Sequence, residues 1–156
     1  MAITLNTTKG SPDANAYADV SEADALLEQL YQTDEWFALD DSEKMKLLVT
    51  GANYIDRLPV KYESADSSQA LKFPLDNEDD GFEIAKEASI WQAWYLYLNL
   101  SAIDGAQASA IENIRTENLG KVQTTKFVGG INPMRKYEPY IFRLFQGFLN
   151  LNNRIY

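Results

Sequence analysis

The stretch DNEDDGFEIAKE, residues 76–87, spaces carboxylates as a site for a hard cation would. Asp76, Glu78, Asp80, Gly81 and Glu87 fall at positions 1, 3, 5, 6 and 12 of the EF-hand pattern, in which alternating acidic oxygens and a final bidentate Glu wrap calcium around a Gly turn. The flanks argue otherwise. An EF-hand needs an entering helix, yet Lys72-Phe73-Pro74 precedes this loop, and Pro disfavours helix in the residue before it. Position 8, usually apolar, is Glu83. Asp79, Asp80 and Glu83 equally suit a helix N-terminus, where unpaired N–H groups and the macrodipole favour negative charge. The expectation is an acidic helix start with no metal site.

Other chemistries thin out quickly. The 156 residues include no Cys and no His, which removes thiolate catalysis, disulfides, Cys-based zinc sites and the commonest general base near neutral pH. Neither a nucleophile motif nor a Gly-rich phosphate loop is present, so the expectation is a protein that is not an enzyme and takes no cofactor. The start, MAITLNTTKG, lacks the basic and apolar regions of a secretory signal, which predicts that the chain stays in the compartment where it is made.

Charge is the most structured feature. The net charge is −9, but residues 1–110 hold 7 basic and 20 acidic side chains, whereas residues 111–156 hold 7 basic and 3 acidic. An acidic majority argues against a general nucleic-acid binder and predicts little affinity for single-stranded DNA, since phosphate affinity comes mainly from Lys and Arg. An acidic body joined to a basic final third predicts copies, or a partner, meeting head to tail. Arg115, Lys121, Lys126, Arg135, Lys136 and Arg143 could alternatively contact phosphates. Trp91, Trp94, Tyr95 and Tyr97 could stack bases, but their helical spacing places them in a core, with no basic groove beside them.

The elements that must position these residues are mostly helical. Residues 1–20, with Gly10 and Pro12, read as an extended arm. A helix starts at Ser21, with Asp24 as a shortened capping box, and Trp36 and Phe37 follow as apolar plugs. A second helix starts after Asp41 or Ser42, carries Met45, Leu48, Ala52 and Ile55 on one stripe and stops before Pro59. Residues 59–81 form a loop containing ALKFPL. A third helix, 82–103, puts Ile84, Ala88, Trp91, Tyr95 and Leu98 on a stripe broad enough to mark a central, buried helix, too short in apolar length for a membrane span. IENIRTEN and KVQTTKFV flank Leu119-Gly120 as a β-hairpin. A last helix, 139–149, offers Ile141, Leu144, Phe145, Phe148 and Leu149.

The predicted fold class is therefore mainly α: one domain, a small helical bundle around a buried central helix, with a β-hairpin, a C-terminal helix and extended termini. Its parts are an arm over 1–20, a helical core over 21–104, and the hairpin, last helix and tail over 105–156. The tail carries Arg154 and Tyr156, residue types enriched at interface hot spots. With Arg115, Lys121, Lys126, Arg135, Arg143, Phe145 and Phe148 they make up the predicted partner interface.

The order of landmarks resembles the head–tail connector (adaptor, head completion) proteins of tailed bacteriophages. The resemblance rests on NAYADVSEADALL at 15–27, Trp36, LDDSEKMKLLVTGANYIDRL at 39–58, and above all QALKFPL at 69–75, similar to the family's Gln-x-Leu-x-Phe-Pro stretch before its long helix. Leu75 departs from the Arg often found after that Phe-Pro, and the acidic DNEDDG is an insertion. The resemblance implies a structural ring of twelve copies in the virion, made in the host bacterial cytoplasm. Such a ring sits between the portal protein and a tail or tail-completion protein, and lets double-stranded DNA pass without specific binding. Some relatives are catalogued as single-stranded DNA-binding proteins similar to the primosomal protein DnaT, which makes single-stranded DNA binding the alternative function.

Overall fold

Asp19 and Asp40 begin their helices in the same way. In the computed structural model, which describes residues 2–99 and 137–150, each carboxylate accepts the N–H of the residue three positions on, Glu22 or Glu43, at 2.8 Å, and that Glu reaches back to the cap N–H. These reciprocal capping boxes satisfy two otherwise orphaned donors apiece. They start helix α1 at Val20–Leu27 and helix α3 at Asp41–Asp56, with the short α2, Asp34–Phe37, between them. The first cap is therefore Asp19 and not Ser21. Asp24 instead accepts from the Trp36 indole at 2.7 Å and the Lys44 amine at 3.0 Å. A β-region residue with a side-chain acceptor makes the better cap, and Asp19 has both.

Helix α4 covers 82–99 within the described residues, and α5 is Pro139–Leu144. No strand occurs among the described residues; only isolated bridges do, Val60 with Leu149 and Ser64 with Leu75. The predicted hairpin around Leu119-Gly120 lies outside the described residues. The last helix is shorter than its sequence pattern: it stops at Leu144, and 145–148 continue as turns. The Phe148 carbonyl there accepts from the Lys61 N–H at 2.8 Å and the Asn150 N–H donates to Pro59. No helix of the described residues is long and apolar enough to cross a membrane.

Two apolar clusters fill the interior. One gathers Tyr17, Ile55, Phe73, Phe82, Ile141, Phe145 and Phe148; the other gathers Leu27, Trp36, Leu48, Ile90 and Trp94. Helix α4 runs through both, but its buried stripe differs from the expected one. Ala85, Ala88, Ser89, Gln92 and Ala93 are fully covered, while Trp91 and Tyr95 are half-buried and Leu98 is exposed. The cause is a close helix crossing. A Cβ on Gly51 of α3 would lie 2.5 Å from the Ser89 carbonyl oxygen, so only small residues fit between α3 and α4, and the large rings move to the flanks. In α3 likewise, Lys44 is buried where Met45 was expected to be, its amine on Asp24 and 5.7 Å from the centre of the Trp36 ring.

Residues 2–19 form no regular element, yet they are no free arm. Asn15 hooks the start of the chain: its side chain accepts from the Asn6 N–H at 2.8 Å and donates to the Thr4 carbonyl at 2.9 Å. Tyr17 is fully buried, and its hydroxyl donates to Asp56 at the end of α3 while accepting from the Phe73 N–H at 3.1 Å. Asp56 also accepts from the Lys72 N–H at 3.1 Å. Gln69 holds the same loop by placing its amide nitrogen within 2.9–3.0 Å of the Leu71, Lys72 and Pro74 carbonyls. The Phe73-Pro74 peptide bond is cis.

Two outcomes follow. Gly51→Ala gains ~1 kcal/mol of helix propensity but meets backbone, and overpacking costs ~1–3 kcal/mol. The urea midpoint should fall, and a rise would contradict the close crossing. Burial holds the Asp56 carboxyl above the usual range despite the opposing bonds from Tyr17 and Lys72. A raised folded value means the folded state binds the proton more readily, so this stabilisation is complete below the ordinary carboxylate range and is lost as pH rises through the raised value. Asp56→Asn keeps the acceptor without the charge. It should melt no lower than wild type at neutral pH and lack that pH dependence, whereas Asp56→Ala, stranding two donors, should lose ~1–3 kcal/mol for each.

Candidate nucleic-acid interface

The acidic loop first. Asp79 accepts from the Gly81 N–H at 3.1 Å, and Asp80 accepts from the Phe82 N–H at 3.0 Å and pairs with Lys9 at 2.5 Å. The Lys9 bond, then the Phe82 N–H, hold the Asp80 carboxyl below its ordinary range. Gly81 supplies the left-handed φ of +69° that turns the chain into α4. Residues 59–81 contain no helix, so nothing enters the loop as an EF-hand requires. Glu87, the would-be final ligand, accepts from the Trp91 indole at 3.3 Å. Among the described residues, no group of three acidic, His or Cys side chains could hold a metal ion.

Of the predicted interface residues, Arg115, Lys121, Lys126, Arg135, Arg154 and Tyr156 lie outside the described residues. Arg143 is exposed on α5. Phe145 and Phe148 are corrected: they are 0% and 6% exposed, and Phe145 packs 5.3 Å from Phe73, ring centre to ring centre. The apolar face of the last helix is covered by the chain's own body, as the turns after Leu144 fold it down onto the 59–61 segment. Neither Phe offers a surface to a neighbour.

A different surface forms on 137–143. Tyr140, 38% exposed, meets Trp91 of α4 edge to face at 5.4 Å. Arg143, one turn along α5, projects near Tyr140 because residues three apart share a helix face. Tyr137 meets Tyr54 of α3 at 5.8 Å and Phe142 at 5.7 Å, and the Arg57 guanidinium lies 5.7 Å over Tyr54. The segment is seated by its Glu138 N–H, which donates to the buried Gln92 side chain at 3.0 Å, and by the Glu138 carboxylate, which caps α5 through the Tyr140 N–H at 2.6 Å. Burial raises the Glu138 carboxyl against the capping bonds, and burial likewise raises the Tyr137 hydroxyl, opposed by the positive charge of Arg57.

These groups can stack planar rings and pair with anions. Unlike Lys9, Lys44 and Lys86, each held on a carboxylate, Arg57 and Arg143 form no ion pair among the described residues. Two carboxylates, Glu87 and Glu138, stand beside the rings and limit the positive potential. Sequence reasoning missed Trp91, Tyr140, Tyr54, Arg57 and Tyr137 as a group, because three separate segments contribute them. The available signal was Gly51 in a helix, which marks close packing and hence displaced rings.

Comparison with known proteins adds one finding. The model of the family described as "Putative DnaT-like ssDNA binding protein" matches residues 1–154. No curated protein and no solved structure matches the chain.

The cap predicts a graded response. Glu138→Ala should cost ~0.5–2 kcal/mol by removing the α5 cap. Glu138→Gln, which keeps an acceptor, should cost less in the same thermal melts. Equal losses would mean that the carboxylate does not anchor the segment by capping.

Proposed function

We propose that this chain, which belongs to the DnaT-like ssDNA binding protein family, binds single-stranded DNA across its 137–143 segment. The carrying observation is the Trp91–Tyr140 ring pair with exposed Arg143 one turn away. Every base has a π-face, so aromatic rings beside a cation hold single strands with little sequence preference. Arg115, Lys121, Lys126, Arg135 and Lys136, just before this segment in sequence, are the further phosphate contacts of this reading. The net charge of −9 does not oppose it, because binding responds to the local potential, and residues 111–156 hold 7 basic side chains against 3 acidic ones.

A second reading is favoured by the acidity of the rest. The described residues hold 8 basic and 20 acidic side chains, and a surface that repels phosphate suits a connector ring through which duplex DNA slides between portal and tail. In that reading the basic segment and the tail with Arg154 and Tyr156 meet a neighbouring copy.

Fluorescence anisotropy of a labelled oligothymidylate, titrated with protein at several salt concentrations, separates the two. Single-strand binding should weaken as salt rises, with a log–log slope of about −0.7 per phosphate neutralised. Tyr140→Ala should weaken it roughly five-fold or more through lost stacking. No binding at low salt, together with closed rings in negative-stain images when portal protein is added, would overturn the first reading in favour of the second.

A further inference from the structure

We propose that Tyr54, Arg57 and Tyr137 form a second nucleotide subsite on the same single-stranded path, an inference that rests on the single-strand reading above. The 137–143 segment lies against both long helices: Tyr140 rests on Trp91 of α4, and Tyr137 rests on Tyr54 of α3. A strand stacked at Trp91 and Tyr140 and following the segment backwards meets the second ring pair next. The second pair repeats the composition of the first, two edge-to-face rings with one guanidinium. Arg57 lies 5.7 Å over Tyr54, and its side chain is exposed. Arginine in this position does two jobs, extending the stacked surface with its planar group and presenting donors to a phosphate.

The backbone explains why Arg57 is available. It is the C-cap of α3, where its N–H closes the last turn on Tyr54 and Ile55 and the next residues turn towards Pro59. Cations near a helix C-terminus are favoured by the macrodipole, so Arg57 is held there without a carboxylate partner. The other edge of the subsite is Phe142, 5.7 Å from Tyr137, which supports that ring from the α5 side. The occupant is a single strand because duplex bases are already stacked and cannot offer their faces to side chains.

The anisotropy titration tests this with three variants of the full chain. Arg57→Gln should make the salt slope shallower by about 0.7, the equivalent of one phosphate. Tyr54→Ala should weaken binding roughly five-fold or more. Tyr31→Ala, altering a 90% exposed aromatic in the turn after α1, should change nothing. Because Tyr54 is half-buried, circular dichroism must show the helices intact, and Arg57→Gln, at an exposed position, decides the question if they are not. If wild type binds and Tyr140→Ala weakens it while Arg57→Gln leaves slope and affinity unchanged, the second subsite is wrong and the first stands. If wild type does not bind at all, both fall.

Discussion

The buried hydroxyl of Tyr17 joins three segments distant in sequence. It donates to Asp56 at the end of α3 and accepts from the Phe73 N–H, while Asp56 also takes the Lys72 N–H. Asn15-x-Tyr17, Ile55-Asp56 and Gln69-x-Leu71-x-Phe73-Pro74, the landmarks that carry the family resemblance, thus meet at one knot. Their chemistry is satisfied there, so these motifs are scaffold and not site. What depends on the knot is Phe73, whose ring supports Phe145 and with it the chain that follows α5. Loosening the knot would move the segment that holds the candidate interface.

The second constraint is the space between α3 and α4. Gly51, Ala52, Ala88, Ser89 and Ala93 let the helices approach until backbone nearly touches backbone. A core of small residues has a consequence at its margins, because Tyr54 and Trp91 cannot enter and are left half-covered on either side. The 137–143 segment then lies over them, matching Tyr137 to one and Tyr140 to the other. Packing in the centre thereby generates the aromatic surface at the edge.

Electrostatics divides the body in a similar way. Lys9, Lys44 and Lys86 are each drawn onto a carboxylate, tying the start of the chain to the 76–81 loop, α3 to α1, and α4 to α1. Glu22 stabilises the Lys86 ammonium and pushes its pKa up. Each of these cations offsets the carboxylate it meets, and with 8 basic against 20 acidic side chains the described residues stay acidic overall; their two arginines, Arg57 and Arg143, are exposed and meet no carboxylate among them. Net charge alone therefore predicted no affinity for nucleic acid, while the placement of unpaired guanidinium groups beside aromatic rings favours a local one.

The sequence by itself determined the long helices and the loop between α3 and α4, because prolines and apolar periodicity act over a few residues. It also identified the acidic loop as a helix start, since its flanks are local. Its errors came from contacts between distant residues. The first cap was expected at Ser21 and is Asp19, whose extended backbone and bond from the Glu22 N–H appear only in the folded chain. Trp91 and Tyr95 complete a stripe on paper, yet the close approach at Gly51 turned α4 so that alanines face inward. Phe145 and Phe148 read as an open face until the turns after Leu144 folded them against Phe73. Tyr54, Arg57, Trp91, Tyr137 and Tyr140 came together only in three dimensions, because no periodicity links residues on three segments and their grouping depends on how closely two helices can pack.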